Sequence, residues 1–265
     1  MNTRVDSLSL RALIVVVFVA TFLVGCGTAP YTGRNQLLLL SNDTEASLGL
    51  QSYQETVGAA RSSSRREWVE MVDRVGRRIA AVTDDDLPYD FEWEFKLIAD
   101  PTVNAFALPG GKVAFYEGIM PICGDDNGVA VVMGHEIGHA LARHGNERVS
   151  HGMLLNLSTE AAAAVLGSDD PNTRAQITAL IGAGANVGVM LPFSRKHESE
   201  ADHIGLILMA KAGYDPREAP RFWTRMAAQS SGGRPPEFLS THPNPETRVA
   251  QLNEWMPEAM KFYKR

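Results

Sequence analysis

The segment Val129-Ala-Val-Val-Met-Gly-His-Glu-Ile-Gly-His-Ala140 contains two histidines four residues apart, with a glutamate directly after the first. On an α-helix, positions four apart lie about 40° from each other, so His135 and His139 face the same way. Two neutral imidazoles so placed can hold zinc, and Glu136 can take a proton from a water molecule at the metal. The apolar run before His135 predicts a buried helix, in which unpaired imidazoles and a carboxylate would be costly. The segment therefore predicts a zinc-binding helix.

A zinc hydrolase needs a third protein ligand and an open position for water. His144 follows the second histidine by five residues, about 140° around an uninterrupted helix, and is predicted to face elsewhere. On a later helix, Glu198 and Asp202 are four residues apart and share a face, while Glu200 points to roughly the opposite side. Glu198 is therefore a candidate ligand, and Asp202 a candidate acceptor for the hydrogen bond of a ligand imidazole. From this segment alone, an exposed helix charge explains Glu198 equally well.

Four blocks of the sequence resemble, in the expected order, the HtpX and CAAX-prenyl-endopeptidase type of zinc metallopeptidase. They are most similar to its periplasmic lipoprotein and assembly-factor proteases of the LoiP and BepA kind. The blocks are Asn104-Ala-Phe-Ala-Leu-Pro-Gly-Gly-Lys112, the HExxH helix continuing to Arg143-His144, Ser194-Arg-Lys-His-Glu-Ser-Glu-Ala-Asp202, and Ser240-Thr-His-Pro243 followed by Arg248.

The resemblance implies an α+β, mainly helical fold: a zincin-like HExxH domain with a small β-sheet that borders the active-site cleft. It implies one zinc ion per chain, held by His135, His139 and Glu198, with Glu136 as the base. Asp202 is implied to support a ligand imidazole from behind the metal.

The same resemblance implies a substrate site in the first block, where part of the segment forms an edge strand beside the cleft. An extended peptide can add to such an edge through main-chain hydrogen bonds, which depend little on the identity of the side chains. The alternative interpretation is a plain hairpin turn. The substrate-binding residues expected on this basis are Asn104, Ala105, Phe106 and Ala107.

His242 matches a family histidine near the metal and has two candidate roles. It can hydrogen-bond the tetrahedral oxyanion, or it can occupy the open coordination position in a resting enzyme. Arg248, six residues later, is a second candidate near the cleft. We expect part of residues 145–193, with the loop that carries His242, to cover the metal in the resting enzyme. The remaining histidines are predicted to be structural or solvated: His144, His151, His197 and His203.

The chain begins with a segment that is typical of an export signal. Arg4 and Arg11 precede an apolar run, Ala12–Val24, of about 13 residues. A bilayer span needs roughly 20, so the run fits the apolar region of a secretory signal. The run ends in Leu23-Val-Gly-Cys26, which resembles the bacterial lipobox, in which the cysteine becomes acylated. The alternatives are an uncleaved anchor or a plain signal cut nearby.

This interpretation divides the chain into three parts. Residues 1–25 are predicted to be a lipoprotein signal peptide, 26–41 a lipidated tether that begins at Cys26, and 42–265 the zinc metallopeptidase domain. With Cys26 acylated, Cys123 has no cysteine partner, and the apolar stretch before it predicts that it is buried.

Charge and hydropathy patterns restrict the remaining choices. The formal net charge of −6 over 265 residues argues against a nucleic-acid partner, which usually requires a clearly basic face. Hydrophobic periodicity predicts a mostly helical chain with a small sheet near its middle. The predicted helices cover 42–62, 65–82, 127–145, 148–166, 173–191, 194–212, 216–229 and 246–255, and the predicted strands 91–99 and 113–115, with a turn at 109–111.

Together these expectations describe a zinc-dependent endopeptidase on the periplasmic face of a bacterial outer membrane, bound to the lipid through Cys26. The implied role is envelope quality control: cleavage of misfolded or stalled outer-membrane proteins, in contact with the outer-membrane assembly machinery. The alternative is a zinc-containing lipoprotein that acts mainly as a non-catalytic chaperone or assembly factor. Glu136 favours the enzyme, because a structural metal site needs no general base.

Overall fold

The computed structural model describes residues 26–58, 60–83, 87–153, 194–229, 236–242 and 245–264. The helices are α1 (Asn42–Val57), α2 (Arg66–Ala80), α3 (Met120–Cys123), α4 (Asp126–Leu141), α5 (Arg195–Lys211), α6 (Glu218–Ala228), α7 (Glu237–Thr241) and α8 (Pro245–Ala259). The strands are β1 (Cys26–Thr28), β2 (Asn35–Leu37), β3 (Glu94–Ile98), β4 (Ala105–Leu108) and β5 (Lys112–Tyr116). The predicted α+β, mainly helical fold with a small sheet is confirmed.

Helix α4 forms the centre of the fold and is buried from Gly128 to its end. The side chain of Asp125 caps its first turn by accepting the backbone N–H groups of Asn127 and Gly128. The helix ends at Leu141 rather than at 145, and Arg143 adopts a φ of 51° before residues 144–153 become helical again. This turn changes the direction in which every following side chain points.

Helices α4 and α5 pack against each other at glycines, which lets their backbones approach closely. A Cβ atom placed on Gly205 would lie 2.7 Å from the backbone of Gly134, and one on Gly138 would lie 2.9 Å from the carbonyl oxygen of Ala201. Ser194 caps the start of α5 by accepting the N–H of His197. The contact therefore holds the HExxH segment against the segment that carries the predicted third ligand.

The sheet beside α4 has the strand order β3-β5-β4. Strand β3 runs parallel to β5, whereas β4 and β5 form an antiparallel hairpin. The predicted turn at 109–111 closes this hairpin, and its two glycines, Gly110 and Gly111, adopt φ angles of 84° and 90° that other residues rarely reach. Strand β4 is thus an edge strand of the described sheet and lies next to α4.

Residues 26–41 fold back onto the domain. Strands β1 and β2 form a small antiparallel hairpin, and Gln36 on β2 donates a hydrogen bond of 2.5 Å to the carbonyl oxygen of Ala142. The predicted division of the chain, with a lipidated tether at 26–41, stays a prediction, and the predicted signal peptide, 1–25, lies outside the described residues. Among the described helices, none combines the length and the apolar character that a membrane crossing requires.

Two further sequence predictions have mixed outcomes. Cys123 is buried, as predicted. Of the helices predicted over 148–166 and 173–191, the described part is helical up to residue 153, and residues 154–193 lie outside the description. The expectation that this segment covers the metal therefore stays a prediction.

Candidate active site

The three residues predicted to hold zinc converge at the contact between α4 and α5. The Nε2 atoms of His135 and His139 lie 3.1 Å apart. Glu198 faces both rings, with Oε2 at 3.5 Å from His135 Nε2 and Oε1 at 3.3 Å from His139 Nε2. All three side chains are buried. The helical spacing that suggested Glu198 and the two histidines thus brings their donor atoms together.

These distances fit a zinc ion. Zinc bonds of about 2.0–2.1 Å in a tetrahedron place neighbouring ligand atoms about 3.3 Å apart. The observed separations of 3.1, 3.3 and 3.5 Å scatter around that value. Two imidazole nitrogens and a carboxylate also form the donor set that zinc prefers. The site therefore matches zinc in both chemistry and size.

Asp202 and Arg248 lie directly behind the ligands. Asp202 Oδ1 is 3.0 Å from His135 Nδ1, the contact expected of a residue that orients a ligand imidazole. Arg248 is fully buried and donates to Asp202 at 2.6 Å and to Glu198 at 2.9 Å. Its guanidinium lies 3.3 Å from the ring centroid of Trp223. Arg248 therefore fixes two carboxylates behind the cleft rather than lining the cleft itself.

Burial and nearby charges keep His135 and Glu198 in the protonation states that bind zinc. Burial, aided by the charge of Arg248, lowers the pKa of His135 to about 4, which keeps its imidazole neutral. Burial alone would raise the pKa of Glu198, but His242 and Arg248 outweigh that effect and hold it well below its usual value. A neutral imidazole and an ionised carboxylate are the forms that coordinate zinc.

Glu136 lies between the metal group and strand β4. Its Oε2 accepts a hydrogen bond of 3.1 Å from the backbone N–H of Ala107. Its Oε1 is buried and has no hydrogen-bond partner among the described residues. Burial raises the pKa of this carboxyl to about 7. An oxygen held in this way beside the metal group is placed to receive a proton from a water molecule.

His242 follows α7 and lies within the metal group rather than on an exposed loop. Its Nδ1 is 3.1 Å from His135 Nε2 and 3.1 Å from Glu198 Oε1, separations like those among the three predicted ligands. Its Nε2 is 3.5 Å from Glu136 Oε1. His135, His139, Glu198 and His242 form one group whose ligand atoms all lie within 4.8 Å of one another. This position is compatible with either of the two roles expected for His242.

The substrate segment expected from the resemblance is placed on the same side as Glu136. Ala105, Phe106 and Ala107 lie on edge strand β4, and Asn104 precedes it, with its side-chain amide 3.3 Å from Glu237 Oε1. The N–H of Tyr116 on β5 donates to the carbonyl oxygen of Asn104.

Two residues near the metal were not predicted to belong to the site. His144 is fully buried, and its Nδ1 lies 2.8 Å from Nδ1 of His139. Glu200, which points away from the ligands, is 2.9 Å from the other nitrogen of His144. The prediction that His144 faces elsewhere assumed an uninterrupted helix and is wrong, because α4 ends at Leu141 and the chain turns at Arg143.

The remaining histidines differ in their surroundings. His197 is buried and stacks on His144, with ring centroids 4.4 Å apart. His203 is partly buried and lies 2.8 Å from Glu258, whereas His151 is exposed.

Comparison with known proteins places this arrangement in a family. The sequence profile of Peptidase family M48 matches residues 66–256. Mitochondrial metalloendopeptidase OMA1 of Schizosaccharomyces pombe is 38% identical over 234 residues, which cover 87% of this chain and 66% of that protein. Metalloendopeptidase OMA1, mitochondrial, of Homo sapiens is 30% identical over 271 residues, which cover 96% of this chain and 50% of that protein. The chain spans about half to two thirds of the length of these relatives.

A bacterial relative is more distant. Beta-barrel assembly-enhancing protease of Escherichia coli is 29% identical over 229 residues, which cover 84% of this chain and 46% of that protein. The narrower resemblance to the HtpX and CAAX-prenyl-endopeptidase type, and to the LoiP and BepA kind, is therefore not confirmed.

These relatives also correct the predicted place and role of the protein. Metalloendopeptidases named as mitochondrial, from yeasts, a plant and animals, match the chain at 30–39% identity. The predictions of a bacterial outer-membrane location and of an envelope quality-control role are contradicted by this finding. The predicted signal peptide and the acylation of Cys26 receive no support from it. The physical cause of the error is that a short apolar run before a cysteine carries little information about the rest of the chain.

The sequence, the geometry of the site and the relatives agree on the metal chemistry. The family profile and the group formed by His135, His139, Glu198 and His242 confirm the predicted zinc cofactor, and the relatives named as metalloendopeptidases agree with the predicted enzyme class. The chain belongs to Peptidase family M48.

Proposed function

We propose that this chain is a zinc-dependent endopeptidase that cleaves extended segments of other proteins. The observation that carries the proposal is the position of Glu136 between the metal group and edge strand β4. One oxygen of its carboxyl is held by the N–H of Ala107 at 3.1 Å, and the other is buried and without a hydrogen-bond partner in the described structure. The relatives named as metalloendopeptidases support the same activity.

In the proposed reaction, His135, His139 and Glu198 would hold the zinc ion. Zinc in such a site polarises a peptide carbonyl and lowers the pKa of water. Glu136 takes the proton of the attacking water and passes it to the leaving amine. Asp202 keeps the His135 ring in place, and Arg248 balances the charges of Glu198 and Asp202. Each protein group thus has one task that follows from its contacts.

The proposed substrate class follows from strand β4. Because the carbonyl of Asn104 pairs with β5, alternation along the strand turns the backbone groups of Ala105 and Ala107 away from β5. Because the backbone N–H of Ala107 donates to Glu136, the side of β4 that is turned away from β5 faces Glu136. A substrate that lies along this edge must be extended and locally unfolded, since a helix or a paired strand has no free backbone groups.

Proteolysis of an unfolded protein tests the activity. We expect the purified, zinc-loaded chain to degrade unfolded casein and to stop when a chelator removes the metal. Glu136→Gln should keep the zinc and lose at least about 100-fold in rate, because general bases contribute about 10²–10⁴-fold. Glu254→Gln, an exposed change on α8, is the control. A zinc-loaded wild-type chain that binds casein without cutting it would favour the non-catalytic alternative.

A second experiment tests the edge strand. Peptide substrates in which one backbone nitrogen at a time is methylated should lose cleavage with a period of two residues. This period is expected because only alternate backbone groups of an added strand face β4. Uniform losses at every position, or none away from the scissile bond, would contradict the proposed mode of binding.

A further inference from the structure

A chain of polar contacts leads from the metal group to the N-terminal hairpin. His139 Nδ1 lies 2.8 Å from His144 Nδ1, and His144 Nε2 lies 2.9 Å from Glu200 Oε2. Arg34, in the loop between β1 and β2, donates from Nε to the same carboxylate at 2.7 Å. Thr32 of this loop also donates to Glu200. The contacts therefore join residues that are far apart in sequence into one path.

The direction of the hydrogen bonds in this path follows from the metal site. If His139 offers its Nε2 lone pair to zinc, its proton is on Nδ1 and is donated to His144 Nδ1. His144 must then carry its own proton on Nε2 and donate it to Glu200. Only this arrangement gives a donor and an acceptor at each contact. The metal at one end of the path and the carboxylate at the other therefore favour the same tautomer of each ring.

Arg34 also helps to hold the ring that stacks on His144. Its two terminal nitrogens donate to Glu147 at 2.7 and 2.6 Å. Glu147 in turn contacts His197 Nε2 at 3.1 Å, and the ring of His197 stacks on His144 with an interplanar angle of 20°. Arg34 thus holds the carboxylate that contacts His144 Nε2 and, through Glu147, the ring that stacks on His144.

We infer that Arg34 is a positioning residue of the metal centre, which acts on the ligand His139 through Glu200 and His144. The N-terminal hairpin is then a working part of the centre, although it contributes no ligand. The inference rests on the proposed zinc site. It concerns one ligand only, because His135 is oriented separately by Asp202 at 3.0 Å.

The geometry demands an arginine in this position. A guanidinium offers five donors in a fixed plane and can serve two carboxylates at once, whereas a lysine ammonium is a compact point charge on a flexible stem. Arg34→Lys therefore keeps the charge that the buried carboxylates need but loses the defined directions. This variant separates positioning from simple charge balance.

Zinc release measures the effect without relying on activity. We expect the zinc-loaded Arg34→Lys variant to lose zinc to a chelator about 10-fold faster than the wild type, at the lower end of the about 10- to 100-fold typical for residues behind a ligand. The control is Arg225→Lys on α6, because Arg225 also pairs with a glutamate, Glu218 at 2.7 Å, and donates to the carbonyl oxygen of Ile122, but lies outside the path. The control should release zinc at a rate close to that of the wild type, even if its thermal stability falls.

Nitrogen NMR of the histidine rings gives a second readout. In the zinc-free wild type, where no metal fixes the His139 tautomer, His144 should carry its proton on Nε2 because Glu200 accepts it, and Arg34→Met should produce a mixture of the two tautomers. If Arg34→Met does not fold, Arg34→Lys takes its place in this measurement. Wild-type zinc release and an unchanged tautomer in both variants would overturn the inference, as would equal acceleration in the Arg225→Lys control. A wild-type chain that binds no stoichiometric zinc would overturn the proposed site as well, which distinguishes the two failures.

Discussion

A single methyl group at Gly205 should weaken zinc binding, although Gly205 contributes no atom to the metal site. A Cβ atom at this position would lie 2.7 Å from the backbone nitrogen of His135 and 2.7 Å from the carbonyl carbon of Gly134. Ordinary contacts are about 3.4 Å or longer. Gly205→Ala therefore forces α4 and α5 apart by about 0.7 Å, between the two histidine ligands and the carboxylate ligand.

The expected size of the effect follows from this displacement. Zinc ligands tolerate deviations of about 0.2 Å, so the metal site cannot absorb the shift unchanged. Overpacking of this kind costs about 1–3 kcal/mol. If the strain is expressed at the metal site, that range corresponds to about 5- to 150-fold weaker zinc binding. The zinc-free protein should also melt earlier, by about 2–4 °C for each kcal/mol.

The chain offers a control with the same chemical change. Gly145 is helical, and a Cβ atom there meets nothing within 4 Å, so Gly145→Ala should stabilise the fold by up to about 1 kcal/mol. Zinc affinity is measured by competition with a chromophoric chelator, and stability by thermal melting of the zinc-free forms. The reasoning is refuted if Gly205→Ala binds zinc as tightly as Gly145→Ala does.

Three further outcomes are expected. Glu198→Ala should lose zinc that the surface variant Glu254→Ala retains, because only Glu198 lies 3.3–3.5 Å from both ligand imidazoles; equal retention by metal analysis would remove it from the ligand set. His242→Ala should raise basal casein cleavage if His242 fills the fourth position at rest, whereas lower turnover with zinc still bound would instead assign it to the oxyanion. Burial raises the pKa of the Cys123 thiol, so iodoacetamide at pH 8 should leave it unmodified in the folded protein and label it after denaturation; labelling in the folded state, mapped by mass spectrometry, would contradict the burial.

Helical periodicity was sufficient to predict that His135 and His139 share a face, whereas the choice of Glu198 as the third ligand also needed the family resemblance. His135, His139 and Glu198 lie on regular helices, where a spacing of four residues determines a shared face. His144 could not be placed in the same way, because its direction depends on a turn at Arg143 with a φ of 51°. Positive φ at a residue other than glycine is uncommon, and no pattern in the sequence signals it here.

The contacts of Arg34 show a second reason why part of the site could not be predicted from the sequence. Arg34 meets its partners Glu147 and Glu200 across 113 and 166 residues of sequence. Charges in a loop are usually solvated, so an arginine before Asn35 carries no local sign that it will pair with two buried carboxylates. Only the folded chain brings this loop to the surface formed by α5 and the helical residues 144–153.

The docked hairpin has a practical consequence for anyone who produces the protein in shortened form. The family profile starts at Arg66 and the predicted domain at residue 42, so an expression plasmid designed from either boundary would omit Arg34. Such a truncation leaves Glu147 and Glu200 buried without their shared cation, and a buried ion pair that loses one partner costs about 3–5 kcal/mol. Whole domains are stable by only about 5–15 kcal/mol. An affinity tag therefore belongs ahead of β1 or at the far end of the chain, and a soluble yield should depend on keeping residues 26–41.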